Sequence, residues 1–87
     1  MLRLVTAHSL AEIGAALRTR ADAILLSPVF PTRSHPGART LGPLRFHLLA
    51  ARSRVPVIAL GGMNRQRAKR LPGQPWAAID GHVSDLR

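Results

Sequence analysis

Ala23-Ile-Leu-Leu-Ser-Pro-Val-Phe-Pro-Thr-Arg-Ser-His-Pro-Gly37, followed by Val55-Pro-Val-Ile-Ala-Leu-Gly-Gly-Met63, is the part of this chain that decides how it folds. Each segment begins as an apolar run of the kind found in a strand covered on both faces. Each then passes directly into a loop of small, hydroxyl-bearing and turn-forming residues. In parallel β/α proteins such loops present backbone amides to phosphate groups.

Working outward, Leu2 to Thr6 reads as a short strand and Ser9-Leu-Ala-Glu12 as a capping box, with Ser9 as N-cap and Glu12 reaching back. Leu10, Ile13, Ala16 and Leu17 recur at helical spacing, which predicts a helix from Leu10 to Arg20. Ala23 to Ser27 is the second strand. Pro28 to Pro43 is a long loop holding prolines 28, 31, 36 and 43, and loops of that length inside compact domains are functional or disordered. Pro43 suits the first turn of a helix over 43–53, with Leu44, Leu48 and Leu49 expected to face inward. Val55 to Leu60 is the third strand, Gly61-Gly62 turns the chain, and Asn64 caps a helix running to Leu71. Pro72-Gly-Gln-Pro75 breaks that helix. Trp76 to Ile79 is a fourth short strand, and the last seven residues are expected to add a helical turn.

Strands alternating with helices imply right-handed crossovers and a parallel sheet. The expected class is α/β, with about four parallel strands and intervening helices. Periodicity alone leaves two architectures open, a complete small sheet or half of a (β/α)₈ TIM barrel.

Eighty-seven residues make one small domain with a modest core, and 46% hydrophobic content excludes a disordered chain. No apolar run reaches the ~18 residues of a membrane helix, and the N-terminus has no secretory pattern. With no cysteine, disulfides and thiolate metal sites are excluded, and the cytoplasm is the default compartment. Thirteen basic residues oppose four acidic ones, giving a net charge of +9. Such a field attracts nucleic acid, anionic membrane or phosphorylated small molecules. Twelve of the thirteen are Arg, scattered along the chain, and a coding bias toward Arg produces the same count without any partner. One Trp and two Phe supply a poor base-stacking platform.

Ligands of α/β folds bind at the carboxyl ends of the strands. Those ends carry Thr6 and His8, then Ser27 through His35, then Gly61-Gly62, then Ile79-Asp80. Thr32 and Ser34 offer hydroxyls, and Gly62 permits close approach of an anion to backbone. Arg33 and Arg39 can clamp phosphate oxygens. His35 can donate to an anion or act near neutrality as acid or base. The same residue types also make ordinary turns and exposed loops. Trp76 and Met63 read as core. No second ligand stands at metal spacing from His8, and no metal site is expected in the chain.

These segments resemble the thiamine phosphate synthase and TenI family, in the C-terminal half of its barrel. Thr6-Ala-His8 is similar to the Ser-x-His that ends the fifth strand, and Ser27 through His35 to the Pro-Thr-x-Thr-Lys loop of the sixth. Pro56-Val-Ile-Ala-Leu-Gly-Gly62 is similar to the seventh-strand signature, and Ala77-Ala-Ile-Asp80 falls where the eighth ends. The resemblance implies thiamine biosynthesis. The family's synthases are transferases that join a thiazole phosphate to hydroxymethylpyrimidine diphosphate with Mg²⁺, releasing pyrophosphate. By the same resemblance Thr32, Arg33, Ser34, Gly61, Gly62, Ile79 and Asp80 would hold the thiazole phosphate, and Thr6 and His35 the pyrimidine diphosphate. No catalytic residue is assigned.

The family's Mg²⁺-binding aspartates and its Gln-x-Arg-x-Lys diphosphate loop belong to the first four strands, which this sequence does not match. His35 stands where the family has Lys, and Asp80 where it has Ser. Both departures resemble the TenI-like or fused members more than a typical synthase. The expected partners are phosphorylated thiazole and pyrimidine small molecules, with self-association through open sheet edges and neither membrane nor nucleic acid. The chain is expected to be inactive by itself, as the product of a truncated gene or as half of a pseudo-barrel. The alternative is a non-catalytic interaction module that pairs through its sheet edges.

Overall fold

The second strand of the sequence reading is the centre of a three-stranded parallel sheet. The structure is a computed structural model that describes residues 2–31, 39–79 and 83–86. Its elements are β1 (Leu4–Ala7), α1 (Leu10–Arg18), β2 (Ala23–Leu26), α2 (Gly42–Ala50), β3 (Val57–Ala59), α3 (Arg65–Ala68), β4 (Ala77–Ile79) and β5 (Val83–Leu86). The sheet order is β1-β2-β3, with Leu4 opposite Ala23 and Ile24 opposite Val57. Ala7, Leu26 and Ala59 thereby stand side by side, and the loops leaving all three strands emerge at one edge.

Successive residues of a strand point to opposite faces, and the core divides by that rule. Val5, Ala7, Ile24, Leu26, Val57 and Ala59 join Ile13, Ala16, Phe46 and Leu71 in the main core on the helical side. Ala23 and Ile58 pack with Ala77, Leu25 and Leu60 in a smaller cluster on the other face. Leu4 and Thr6 share that second face by register and are exposed. One face is fully covered by helices and the other only partly, the arrangement of a segment cut from a (β/α)₈ barrel.

The caps follow the sequence. Ser9 Oγ accepts from the Glu12 amide at 3.2 Å, and Asn64 Oδ1 from the Arg67 amide at 2.8 Å. Glu12 reaches back one residue further than a regular capping box, its Oε1 accepting from the His8 amide. Helix α1 ends with the Ala21 amide on the Ala16 carbonyl and Arg20 at φ 61°, a left-handed position normally given to glycine. Helix α2 is fastened at its start, where the Leu41 and Gly42 amides donate to the carbonyls of Pro28 and Val29, each at 2.8 Å.

Three expectations are corrected. Leu44 and Leu48 do not face inward; they are 74% and 62% exposed, while Phe46 is fully buried and Leu49 half-buried. Apolar residues at 44, 46, 48, 49 and 50 offer two possible faces, and the sheet takes the one carrying the ring, which buries the most apolar area. Among the described residues the fourth strand joins the parallel sheet only through a bridge of Trp76 to Ala59. A regular ladder would call on the amide of residue 75 for the Val57 carbonyl. Pro75 has no N–H, and Gln74 Nε2 donates there instead. The last residues do not form a helical turn. Val83–Leu86 is a strand antiparallel to β4, with Ile79 opposite Val83. Asp-Gly between two apolar segments is a hairpin signal, and Asp80-Gly81 carried it in the sequence.

Candidate functional site

Loops after β1, β2 and β3 meet because the strand ends are in register. His8 Nδ1 lies 2.8 Å from the Ser27 carbonyl and 3.3 Å from Ser27 Oγ, joining the first two loops. The Val29 and Phe30 amides donate to the carbonyls of Leu60 and Gly61, each at 3.0 Å, joining the second and third.

Both glycines after β3 are required by this approach. Gly61 has φ 94°, and a Cβ there would meet Pro28 Cα at 2.6 Å. Gly62 has φ 67°, and a Cβ there would meet the Pro31 carbonyl oxygen at 2.5 Å and Arg67 Nη1 at 2.9 Å. The space released by the missing side chains is thus filled by the β2 loop. What the turn leaves for a ligand is its amides. Among the described residues, no acceptor meets the N–H of Gly61, Gly62 or Met63.

A cleft of about 580 Å³ opens beside these ends, lined by His8, Pro28, Arg39, Thr40, Leu41 and Arg45. Arg39 and Arg45 bring two fixed positive charges, Thr40 a hydroxyl and His8 an imidazole. That set of donors suits an anion with several oxygens. Arg45 lies in the first half of α2, held near Pro28 by the fastening of that helix to the β2 loop.

Of the residues expected from sequence, Gly61 and Gly62 occupy the turn just described. Thr6 is exposed on the partly covered face of the sheet. Ile79 lies at the end of β4, facing β5 across the antiparallel pair. Thr32, Arg33, Ser34, His35 and Asp80 lie outside the described residues. Arg39, a candidate clamp in the sequence, lines the cleft. Thr40, Arg45 and Arg67 were missed. In the sequence Arg45 and Arg67 are two of twelve scattered arginines, and nothing local distinguishes them from Arg52 or Arg65.

Among the described residues no cluster of three His, Cys, Asp or Glu stands ready for a metal ion. Glu12 and Asp22 are each bonded to a backbone amide, of His8 and Arg3 respectively. The described residues therefore do not fit a Mg²⁺ site. No helix among them is long and apolar enough to cross a membrane.

The family model described as thiamine monophosphate synthase matches residues 5–77. A thiamine-phosphate synthase of Anoxybacillus flavithermus is 39% identical over 69 residues, which cover 77% of this chain and 32% of that protein. A putative thiamine-phosphate synthase 2 of Aquifex aeolicus is 39% identical over 64 residues, 74% of this chain and 34% of the relative. Among solved structures, a thiamine phosphate pyrophosphorylase from Pyrococcus furiosus superposes with a TM-score of 0.72 at 28% identity. That match covers 87% of this chain and 37% of the neighbour. The chain spans about a third of the length of the relatives it matches.

Proposed function

The chain belongs to the thiamine monophosphate synthase family, and from that premise we propose that it is the C-terminal half-barrel of a synthase-type site and binds phosphorylated thiazole and pyrimidine compounds. In this reading residues 1–87 form one domain. The thiazole phosphate is held by Gly61, Gly62, Ile79 and Asp80 together with Thr32, Arg33 and Ser34. Thr6 and His35 face the pyrimidine diphosphate, and Arg39, Thr40 and Arg45 widen the anion-binding edge.

One observation carries the reading. Three strand ends are in register, and the turn after β3 offers amides that meet no acceptor among the described residues. Amides and guanidinium groups fixed before a ligand arrives are suited to the charge that builds on a departing pyrophosphate. Condensation of the two substrates is assigned to a complete barrel in which further β/α units supply the Mg²⁺ ligands. The chain by itself is proposed to bind and not to turn over.

A titration followed by amide NMR tests this, with thiamine phosphate and with inorganic pyrophosphate, each in the presence of Mg²⁺. Saturable shifts confined to Thr6, His8, Thr32 to His35, Arg39 to Arg45, Gly61 to Met63, Ile79 and Asp80 are expected. A well-dispersed spectrum indifferent to both ligands refutes the reading.

A second reading has its own observation. Among the described residues β1 pairs only with β2, and Leu2 and Leu4 beside that free edge are 77% and 52% exposed. Strand edges with apolar neighbours pair with other chains. Sedimentation equilibrium decides: concentration-dependent dimers without ligand binding favour an interaction module, and a monomer throughout rejects it.

A further inference from the structure

The short helix α3 carries Arg65, Arg67, Lys69 and Arg70 within or just after it, and one of these cations is held unlike the others. Arg67 Nη1 donates to the Gly62 carbonyl at 2.7 Å and to the Pro31 carbonyl at 3.1 Å. Its guanidinium carbon lies 5.3 Å from the centre of the Phe30 ring, whose own amide is bonded to the Gly61 carbonyl. Its backbone amide is held by the Asn64 cap. Arg70 lies equally near that ring, at 5.1 Å, yet its side chain makes no hydrogen bond among the described residues.

We propose that Arg67 is a positioning residue for the anion site, clamping the turn after β3 against the turn after β2 so that the Met63 amide stays aimed at a phosphate. The proposal rests on the phosphate reading above. A peptide unit is planar, with its C=O and N–H on opposite sides. Holding the Gly62 oxygen therefore fixes the plane of the Gly62–Met63 peptide and sends the Met63 N–H away from the guanidinium. The Pro31 bond sets the distance between the two loops, and Gly62, with no Cβ, is what allows the clamp to close. A guanidinium suits this place because one planar group donates to two carbonyls while its charge lies over an aromatic ring. With Nη1 taken by two protein carbonyls, the role of Arg67 is to hold the loops rather than to meet the ligand through that atom.

The test measures inorganic pyrophosphate affinity by calorimetry at one fixed ionic strength, well below each variant's Tm. Arg67→Met is expected to weaken binding about tenfold, the scale of losing a charge-assisted hydrogen bond that organises a site. Arg67→Lys, which can still donate to both carbonyls, should recover most of that loss. Arg70→Met removes the same charge from beside the same ring and should change affinity by less than about threefold. Equal losses in Arg67→Met and Arg70→Met would make the effect one of net charge and overturn the proposal. Wild-type affinity in Arg67→Met would overturn it too. Should Arg67→Met not fold, Arg67→Gln replaces it in the same comparison. Failure of the wild-type chain to bind pyrophosphate is a different result: it removes the phosphate reading itself, and the role of Arg67 falls with it.

Discussion

His8 Nδ1 donates to the carbonyl of Ser27 at 2.8 Å, so the ends of β1 and β2 are joined by a side chain beyond their last ladder bond. A carbonyl oxygen only accepts, so the ring hydrogen of neutral His8 is on Nδ1 and Nε2 carries the lone pair. His8→Asn keeps a donor near the Nδ1 position and is expected to leave stability unchanged. His8→Ala should cost about 1 kcal/mol, the usual net value of one hydrogen bond. Urea unfolding of the two variants checks this, and ¹⁵N spectra of the imidazole check the tautomer.

Phe46 is the fully buried side chain on α2, whereas Leu44 on the same helix is 74% exposed. Phe46→Ala should cost about 4 kcal/mol, a large share of what so small a domain has, and Leu44→Ala less than about 0.5 kcal/mol. Thermal unfolding of both variants separates the two faces of α2. Equal effects would show the helix to be turned differently.

Arg20 follows α1 at φ 61°. A side chain in that conformation carries a steric cost that glycine avoids. Arg20→Gly is expected to raise stability by about 1 kcal/mol, seen as a higher urea midpoint at unchanged slope.

Gly62 combines φ 67° with a Cβ direction closed by Pro31, Phe30 and Arg67. Gly62→Ala should cost about 2 kcal/mol through backbone strain and collision together. It should also displace the Met63 amide resonance and weaken pyrophosphate binding. A variant with wild-type stability and affinity would mean the two loops are farther apart in solution.

Arg45 lines the cleft from α2. Arg45→Gln is expected to weaken pyrophosphate binding about fivefold and to flatten its salt dependence, with little change in Tm. Arg52→Gln, just beyond the end of the same helix, serves as the charge-matched control and should leave affinity within about twofold.

Much of this fold is written locally. Strands at Leu4–Ala7, Ala23–Leu26 and Val57–Ala59, the caps Ser9 and Asn64, and the turn at Gly61-Gly62 all follow from residues within a few positions of one another. Hydrogen bonds to the next turn and side-chain alternation act over that range, so a single sequence records them. The family was legible for the same reason, since its motifs are the strand ends themselves.

Other features needed the assembled sheet. Which face of α2 turns inward depended on where the Phe46 ring found room, and the antiparallel pairing of β4 on the return of Val83–Leu86 beside it. Arg67 resembles every other arginine in a basic stretch until Pro31, 36 residues earlier in the chain, is brought within 3.1 Å of it. The sequence by itself determined the elements from β1 to β4 and their order, because those rest on neighbours in the chain. The tertiary structure decided which cations hold loops and which line the cleft, because charge and hydrogen-bond geometry depend on distances that exist only once distant segments are packed together.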